Sequence, residues 1–235
     1  MIVKRFDIVL KDIIPPFKKK IEVDSDKSIS IRSFLIGSLG QNVSKAKNVL
    51  ESDDVKSTIN CLRKLGVKIK RISKKNYLIF GKGLGSLSIK KNSILNFGNS
   101  GTLARLLIGI LTTTPDIQVR IKGDRSLNKR SMKELIFLMS KFGAYFLPKK
   151  KSKFPLRLIS SNMPIGIKYH AGVSAQLKSA VMLAGLNAYG NTKITEEEKS
   201  RDHTENFLSS SYESIKIQNK NKKFIYIEGK RNLKA

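Results

Sequence analysis

Asn99-Ser100-Gly101-Thr102-Leu103-Ala104-Arg105 runs straight into the apolar stretch Leu106-Leu107-Ile108-Gly109-Ile110-Leu111, and two further copies of this pattern stand elsewhere in the 235-residue chain. Asp26-Lys27-Ser28-Ile29-Ser30-Ile31-Arg32 precedes SFLIGSL, and Val173-Ser174-Ala175-Gln176-Leu177-Lys178 precedes SAVMLAGL. Arg32, Arg105 and Lys178 are spaced 73 residues apart, which sets them at equivalent positions of a repeat. Each copy reads as a helix start, with a small polar approach, free backbone N–H groups in the first turn and a cation one turn in. The exposed N–H groups and the positive end of the helix dipole together favour phosphate or carboxylate. A chain that builds this arrangement three times is expected to handle anionic small molecules.

The repeat extends outward from these helices. Each is followed by a second helical segment: SDDVKSTINCLRKLGVKI, then SLNKRSMKELIFLMSKFGAYF, then SRDHTENFLSSSYESIKI. Ser52 is placed to cap the first of these, and Asp53 and Asp54 complement its dipole. Leu65-Gly66 and Phe142-Gly143 read as helix stops. Short β-branched runs lie between the helices, at Tyr77–Phe80, Ile117–Ile121, Leu156–Ile159 and Phe224–Ile227. The unit is therefore βαβαββ, repeated three times, and the fold class is α/β (α+β). Its period exceeds the roughly 20–50 residues of solenoid repeats, so one compact domain packed around its helices is expected.

Composition narrows the function classes. A hydrophobic content of 40% supports a proper core, and no apolar run is long enough to span a membrane. Residues 1–20 alternate charges with short apolar runs, so neither a signal peptide nor a transit sequence is read there, and a cytoplasmic location and no membrane partner are expected. Cys61 is the single cysteine, which excludes an internal disulfide and a cysteine zinc cluster, and its helix face makes it a core residue. His170 and His203 have neither metal-ligand spacing nor a triad order, and no metal or cofactor is expected; His203 reads as a first-turn residue of the third unit's second helix. The net charge of +28 invites a nucleic-acid reading. However, the 46 basic residues comprise 35 lysines and only 11 arginines, and the lysines scatter through loops such as 18–20, 149–151 and 220–223. With no Trp and no aromatic-rich basic stripe, they read as a solvated surface that raises local anion concentration, and no nucleic acid is expected as partner.

Five segments in order, DKSISIRSF (26–34), FGNSGTLARLL (97–107), GDRSLNKRSM (123–132), SAQLKSAVMLAGLNAYG (174–190) and SRDHTENFL (200–208), resemble those of the 5-enolpyruvylshikimate-3-phosphate synthases. The resemblance runs from about Lys19 to Leu233. It implies a fold of two lobes, each of three βαβαββ units, forming the enolpyruvyl-transferase inverse α/β barrel. On this basis residues 1–18 are expected to be a strand segment belonging to a second lobe, and residues 19–235 the substrate-binding lobe. The implied reaction adds the 5-hydroxyl of shikimate 3-phosphate to C2 of phosphoenolpyruvate as C3 is protonated, then expels phosphate. The implied site has Lys27 touching both substrates and serving catalysis, with Ser28 and Arg32 holding shikimate 3-phosphate. Ser174, Ala175 and Gln176 grip its phosphate and ring hydroxyls, and Arg201 approaches the same substrate. Arg105 and Arg130 take the positions of the phosphoenolpyruvate arginines beside a turn of Asn99, Ser100, Gly101 and Thr102. Arginine suits the task because its planar fork gives bidentate bonds to carboxylate and phosphate and keeps its charge.

The sequence departs from the family pattern at Asp24-Ser25 for Pro-Gly, Ile31 for His, Leu106 and Ser131 for prolines, and Tyr212-Glu213 for Phe-Gly. Asp24 would oppose an anion if it faced the cleft. The family's chains are roughly twice as long, and by the resemblance its acid and base carboxylates lie in the other half. The carboxylates at positions 7, 12, 22, 26, 53, 54, 124, 134 and 202 read here as caps, turn residues or surface charges. The chain is thus expected to bind anions but not to catalyse alone, with a separately encoded C-terminal lobe as the one protein partner left open and a monomer otherwise. Two alternatives are a basic nucleic-acid-binding protein and the related UDP-N-acetylglucosamine enolpyruvyl transferase. The latter is disfavoured by Lys27-Ser28 in place of Lys-Asn, and by Cys61 lying outside its active-site loop.

Overall fold

The computed structural model describes Val9, Lys11, Ile13, Pro16, Lys18, residues 20–219 and residues 221–234. The expected strand segment at 1–18 thus falls largely outside the described residues. The first unit contains α1 (Lys27–Leu39), β1 (Val43–Ala46), α2 (Asp53–Lys64), β2 (Lys68–Ser73) and β3 (Asn76–Phe80). The second contains β4 (Ile94–Asn96), α3 (Gly101–Thr112), β5 (Gln118–Lys122), α4 (Lys133–Lys141), β6 (Tyr145–Leu147) and β7 (Leu156–Ile159). The third contains β8 (Lys168–Ala171), α5 (Ala175–Gly185), β9 (Asn191–Glu196), α6 (His203–Ser211), β10 (Ile215–Asn219) and β11 (Lys223–Glu228).

The second and third units each form a four-stranded sheet of the same design, β4-β5-β7-β6 and β8-β9-β11-β10. In both, the first pair is parallel and the rest antiparallel. A parallel neighbour needs a crossover, which α3 and α5 provide. In the first unit the described residues give αβαββ, with a three-stranded sheet β1-β3-β2, and residues 20–26 lead into α1 without a strand partner. Alternate residues of the strands point inward, as period two requires: Tyr77 and Ile79 in β3, Val119 and Ile121 in β5, Ile225 and Ile227 in β11.

The helices divide by burial. All but one residue of α3 and of α5 are buried, as is most of α1, so these three apolar helices form the centre. The second helices are amphipathic and lie outside them. In α2, Val55, Ile59 and Leu62 face inward, Asp53 and Asp54 sit in the first turn, and Arg63 and Lys64 sit in the last. Ser52 stands at its N-cap, yet its hydroxyl makes no cap bond. Cys61 is buried, its thiol pushed up to about 12 by burial, and it donates to the Asn96 carbonyl oxygen at 3.4 Å. The expected helix across SLNKRSMKELIFLMSKFGAYF is broken: a short 3-10 turn at Leu127–Lys129 comes first, Arg130 is extended, and α4 starts only at Lys133.

The three central helices run side by side in one direction. At one pole Gln176 of α5 donates to the Thr102 hydroxyl of α3, at 3.1 Å, while at the other Thr113 donates to the Ala184 carbonyl oxygen, also at 3.1 Å. Ser28, Thr102 and Gln176, all second residues of their helices, line one small cavity, and Gln41, Pro115 and Asn187 line another at the far pole. Gly109 allows α3 and α5 to approach: a Cβ there would stand 2.5 Å from the Ala180 carbonyl oxygen and 2.9 Å from its Cα. Gly109→Ala is therefore expected to destabilise the fold by about 1–3 kcal/mol, the usual cost of overpacking, although alanine is the better helix former. A shift of the urea midpoint to lower concentration checks this, and an unchanged or raised midpoint would contradict the close crossing.

Candidate functional site

The candidate site is the pole where the three central helices begin. Each start is capped by its own side chain: Asp26 accepts from the Ile29 N–H at 2.7 Å, Ser100 from Leu103 at 3.2 Å, and Ser174 from Leu177 at 3.4 Å. The remaining first-turn N–H groups and three aligned dipoles make this pole electropositive.

The side chains named from sequence are brought together here. Ser28, Arg32, Ala175, Gln176 and Arg201 line one small, partly open cavity with Thr102 and His203. Arg32 is almost fully buried and is held by neutral groups, donating from Nε to the Thr204 hydroxyl at 2.8 Å and through its terminal nitrogens to Ser179 Oγ and the Ser28 carbonyl oxygen, both at 3.1 Å. Burial pushes its guanidinium below the ordinary value; nearby Arg201 acts in the same direction, and Glu205 and Asp26 oppose it.

Arg105 donates to Gln176 Oε1 at 2.9 Å and to the Gly101 carbonyl oxygen at 3.2 Å, so it fixes the Gln176 amide. It lies half-buried at the edge of a depression of about 340 Å³ shared with Ser131, Glu134 and Ser174. Burial and Arg130 both push its guanidinium down, and Glu134 opposes them. Arg130 reaches back to Asn99 Oδ1 at 3.0 Å from the extended break before α4. A Cβ at Gly101 would lie 2.9 Å from Arg105 and 3.2 Å from Arg130, so the glycine leaves open the space between two guanidinium groups. Lys27, the first residue of α1, lines neither hollow; it is half-exposed and pairs with Asp54 at 3.0 Å.

Lys178 does not belong to this set. It is wholly buried and pairs with Glu196 at 2.7 Å and Glu205 at 2.6 Å, so it offers no charge to an incoming anion. The cause lies in the register. The basic residues repeat every 73 residues, but the helices start at Lys27, Gly101 and Ala175, 74 apart. Arg32, Arg105 and Lys178 are therefore the sixth, fifth and fourth residues of their helices, and one residue turns a side chain by about 100° round the axis. Lys223, expected in a solvated loop, opens β11 instead and reaches Glu205 at 3.2 Å.

Ser179, His203, Thr204 and Glu205 reach the site or its supports without having been singled out as such, and Thr102, named only as part of a turn, lines the cavity. A signal for Glu205 existed: it shares the buried face of α6 with Leu208, three residues on. Of the departures from the family pattern, Ser131 lines the depression beside Arg105, and the others lie away from it. Asp24 turns away to pair with Lys75 at 3.0 Å, Ile31 and Leu106 are core residues, and Ser131 accepts from the Lys133 N–H at 3.3 Å ahead of α4. Tyr212 is buried with its hydroxyl bonded to the Glu228 carbonyl oxygen, and Glu213 pairs with Lys234.

Fold and pole together define an α/β lobe that gathers helix starts and hydroxyls with Arg32 and Arg201 round one hollow and Arg105 beside another. The family model of EPSP synthase (3-phosphoshikimate 1-carboxyvinyltransferase) matches residues 11–235. The chain belongs to that family. It is 42% identical over 201 residues to the 3-phosphoshikimate 1-carboxyvinyltransferase of Bacillus subtilis, covering 85% of this chain and 46% of that one. It is 39% identical over 204 residues to the enzyme of the same name from Paramagnetospirillum magneticum, covering 86% and 45%. An EPSP synthase structure from Acinetobacter baumannii superposes with a TM-score of 0.83 at 34% identity, covering 93% of this chain and 48% of that one. The chain thus spans about half the length of the curated relatives it matches.

The buried cluster behind the cleft has a pH signature. Burial alone pushes the Glu196 carboxyl up, but hydrogen bonds from Lys178 and Ser200 outweigh it and hold the group below its ordinary value of 4.5. A carboxyl lowered on folding contributes stability that is present above its unfolded value and is lost as pH falls through the folded one. The melting temperature of the chain is therefore expected to drop on acidification below about pH 4.5, and Glu196→Gln to flatten that part of the profile. Parallel wild-type and variant curves between pH 5 and pH 3 would remove Glu196 from the explanation.

Proposed function

We propose that this lobe binds shikimate 3-phosphate and phosphoenolpyruvate for enolpyruvyl transfer to the 5-hydroxyl, the 3-phosphoshikimate 1-carboxyvinyltransferase reaction of aromatic amino acid biosynthesis. The observation that carries the reading is the convergence of Ser28, Arg32, Gln176 and Arg201 round one cavity, beside Arg105 and Arg130 flanking Gly101. Arg32, Arg201, Ser28, Ser174, Ala175 and Gln176 serve shikimate 3-phosphate in this assignment. Arg105, Arg130 and the open space at Gly101 serve phosphoenolpyruvate, and Lys27, which exchanges Asp54 for ligand in this assignment, serves both substrates. Family membership supports the choice of substrates, since the relatives carry that name.

The assignment separates a built site from bulk charge. Arg201→Ala is expected to weaken shikimate 3-phosphate binding by about 2 kcal/mol, the typical loss of a charge-assisted contact. Lys150→Ala, which removes an equal charge from the exposed loop before β7, should change almost nothing at moderate salt, where exposed charges are screened. Calorimetry on both variants decides the matter; equal losses would mean that the lobe attracts anions only through its net charge.

Turnover needs more than binding. The addition step requires a proton at C3 and a base for the 5-hydroxyl, whereas Asp26 is used as a cap, Asp54 pairs with Lys27, and Glu205 pairs with Lys178 behind the cleft. We infer that the family's remaining half supplies these groups and closes the site against water. The 235-residue chain alone is accordingly expected to bind shikimate 3-phosphate yet release no phosphate from phosphoenolpyruvate in its presence, and to gain activity when a polypeptide carrying the remaining half is added. Steady phosphate release by the 235 residues alone would overturn this part of the reading.

A further inference from the structure

Helix α6 is anchored differently from its counterparts. The equivalent helix α2 buries Val55, Ile59, Cys61 and Leu62, and α4 buries Leu135, Leu138 and Met139. Among the nine residues of α6 only Thr204, Glu205 and Leu208 are buried, so a single apolar side chain is fully engaged, with Phe207 half-buried beside it. Hydrophobic contact of that extent is non-directional and leaves the helix free to slide or turn. Two polar rungs tie it to α5 instead. In one, Lys178 Nζ bonds Glu205 Oε1 at 2.6 Å and Glu196 Oε1 at 2.7 Å, with Lys223 Nζ closing the group at 3.2 Å from Glu205. In the other, one residue along each helix, the Thr204 hydroxyl donates to Ser179 Oγ at 2.8 Å, and both oxygens accept from Arg32.

We propose that the buried Lys178–Glu205 pair is a positioning device for the anion cleft: it fixes the register of α6 against α5, so that Thr204 clamps Arg32 and the start of α6 presents Arg201 and His203 to the cavity. Neither side chain lines the cavity, and apart from the Coulombic pull of Glu205 on Arg32 the pair acts through its neighbours in sequence. Two lysines and two glutamates balance one another inside the cluster, so it adds no net charge to the cleft. A buried ion pair of this kind is a weak source of stability, since removing two charges from water costs about as much as their attraction returns, but its geometry admits one register only. For ligand binding, the inference rests on the shikimate 3-phosphate assignment above.

The test replaces the pair by apolar groups of similar size, Lys178→Met with Glu205→Leu, in the 235-residue chain. The melting temperature is expected to fall, because Glu196 stays buried and keeps only Lys223, at 4.0 Å, as a cationic partner. Shikimate 3-phosphate affinity should fall at least about tenfold, the scale on which loss of groups supporting a ligating residue is felt. The ring-proton NMR signal of His203 in the free protein should move while that of His170, the only other histidine, stays in place. The histidine readout needs no ligand, so a wild-type chain that fails to bind shikimate 3-phosphate would sink the substrate assignment and leave the positioning claim to stand or fall on His203 alone. A folded double variant with unmoved His203 signal and unchanged affinity overturns the proposal. If the double variant does not fold, Glu205→Gln, which keeps the shape and removes the charge, takes its place with the same two readouts and the same overturning result.

Discussion

Three helices running in the same direction put the positive ends of their dipoles at one pole, and much else in the molecule follows from that constraint. Like ends repel, each carrying roughly half an elementary charge, and the packing must hold them together regardless. It does so with apolar surface on nearly every side and, at Gly109, with backbone against backbone. The opposite pole collects carbonyl oxygens, and the chain returns there twice in the same way. The Lys82 N–H bonds the Ser38 carbonyl oxygen at 3.0 Å and the Lys230 N–H bonds that of Leu186 at 2.8 Å, each loop bringing a lysine to the negative end of a central helix. The site is then the pole at which the same electrostatics remain uncompensated.

Much of this architecture was legible in the sequence because it rests on local rules. An apolar helix behind a Ser, Thr or Asp cap can be read from a dozen residues, as can a β-branched run bounded by glycines. The repeat pointed to Arg32, Arg105 and Lys178, of which the first two stand at this pole, while Arg130, Gln176 and Arg201 were named only through the family resemblance. What escaped was geometry finer than one residue. Counting from Arg32 to Lys178 gives a repeat of 73, whereas the caps Asp26, Ser100 and Ser174 repeat at 74. On a helix each such offset turns the side chain by about 100°, and at the fourth position Lys178 faces Glu196 and Glu205. Lys178 lies in a helix that is apolar all round, KSAVMLAGL, and a lone cation there has no solvent to reach. The break that frees Arg130 was equally hidden, since RSMKELIFL carries helix formers throughout.

The partners that evolved around each cation separate its two possible uses. Arg32 is surrounded by hydroxyls and a carbonyl oxygen, Arg105 by an amide and a carbonyl oxygen, and Arg130 by an amide. Such neutral acceptors fix the direction of a guanidinium while leaving its charge uncompensated. Among the described residues no carboxylate lies within ion-pair distance of these three or of Arg201. Lys178 and Lys223 are instead paired with Glu196 and Glu205, and their charge is spent inside the protein.

A net charge of +28 is therefore a poor guide to the function of this chain, and the identity of each cation's partners is a better one. Exposed lysines raise the local concentration of any anion and are screened within about 10 Å at ordinary salt. A buried arginine held by neutral groups discriminates, because an anion that fits gains a full charge-assisted bond, and one that does not leaves the guanidinium desolvated and without a counter-charge. Arg32 meets this condition most fully of the four: burial lowers its pKa, an effect that Glu205 opposes only in part and to which Arg201 adds. A dianionic phosphate placed beside Arg32 and Arg201 would offset the shift by its charge, whereas the scattered lysines would gain almost nothing from the same event. The affinity of the pole thus depends on a few preorganised side chains, and these in turn depend on the rungs that keep α6 in register.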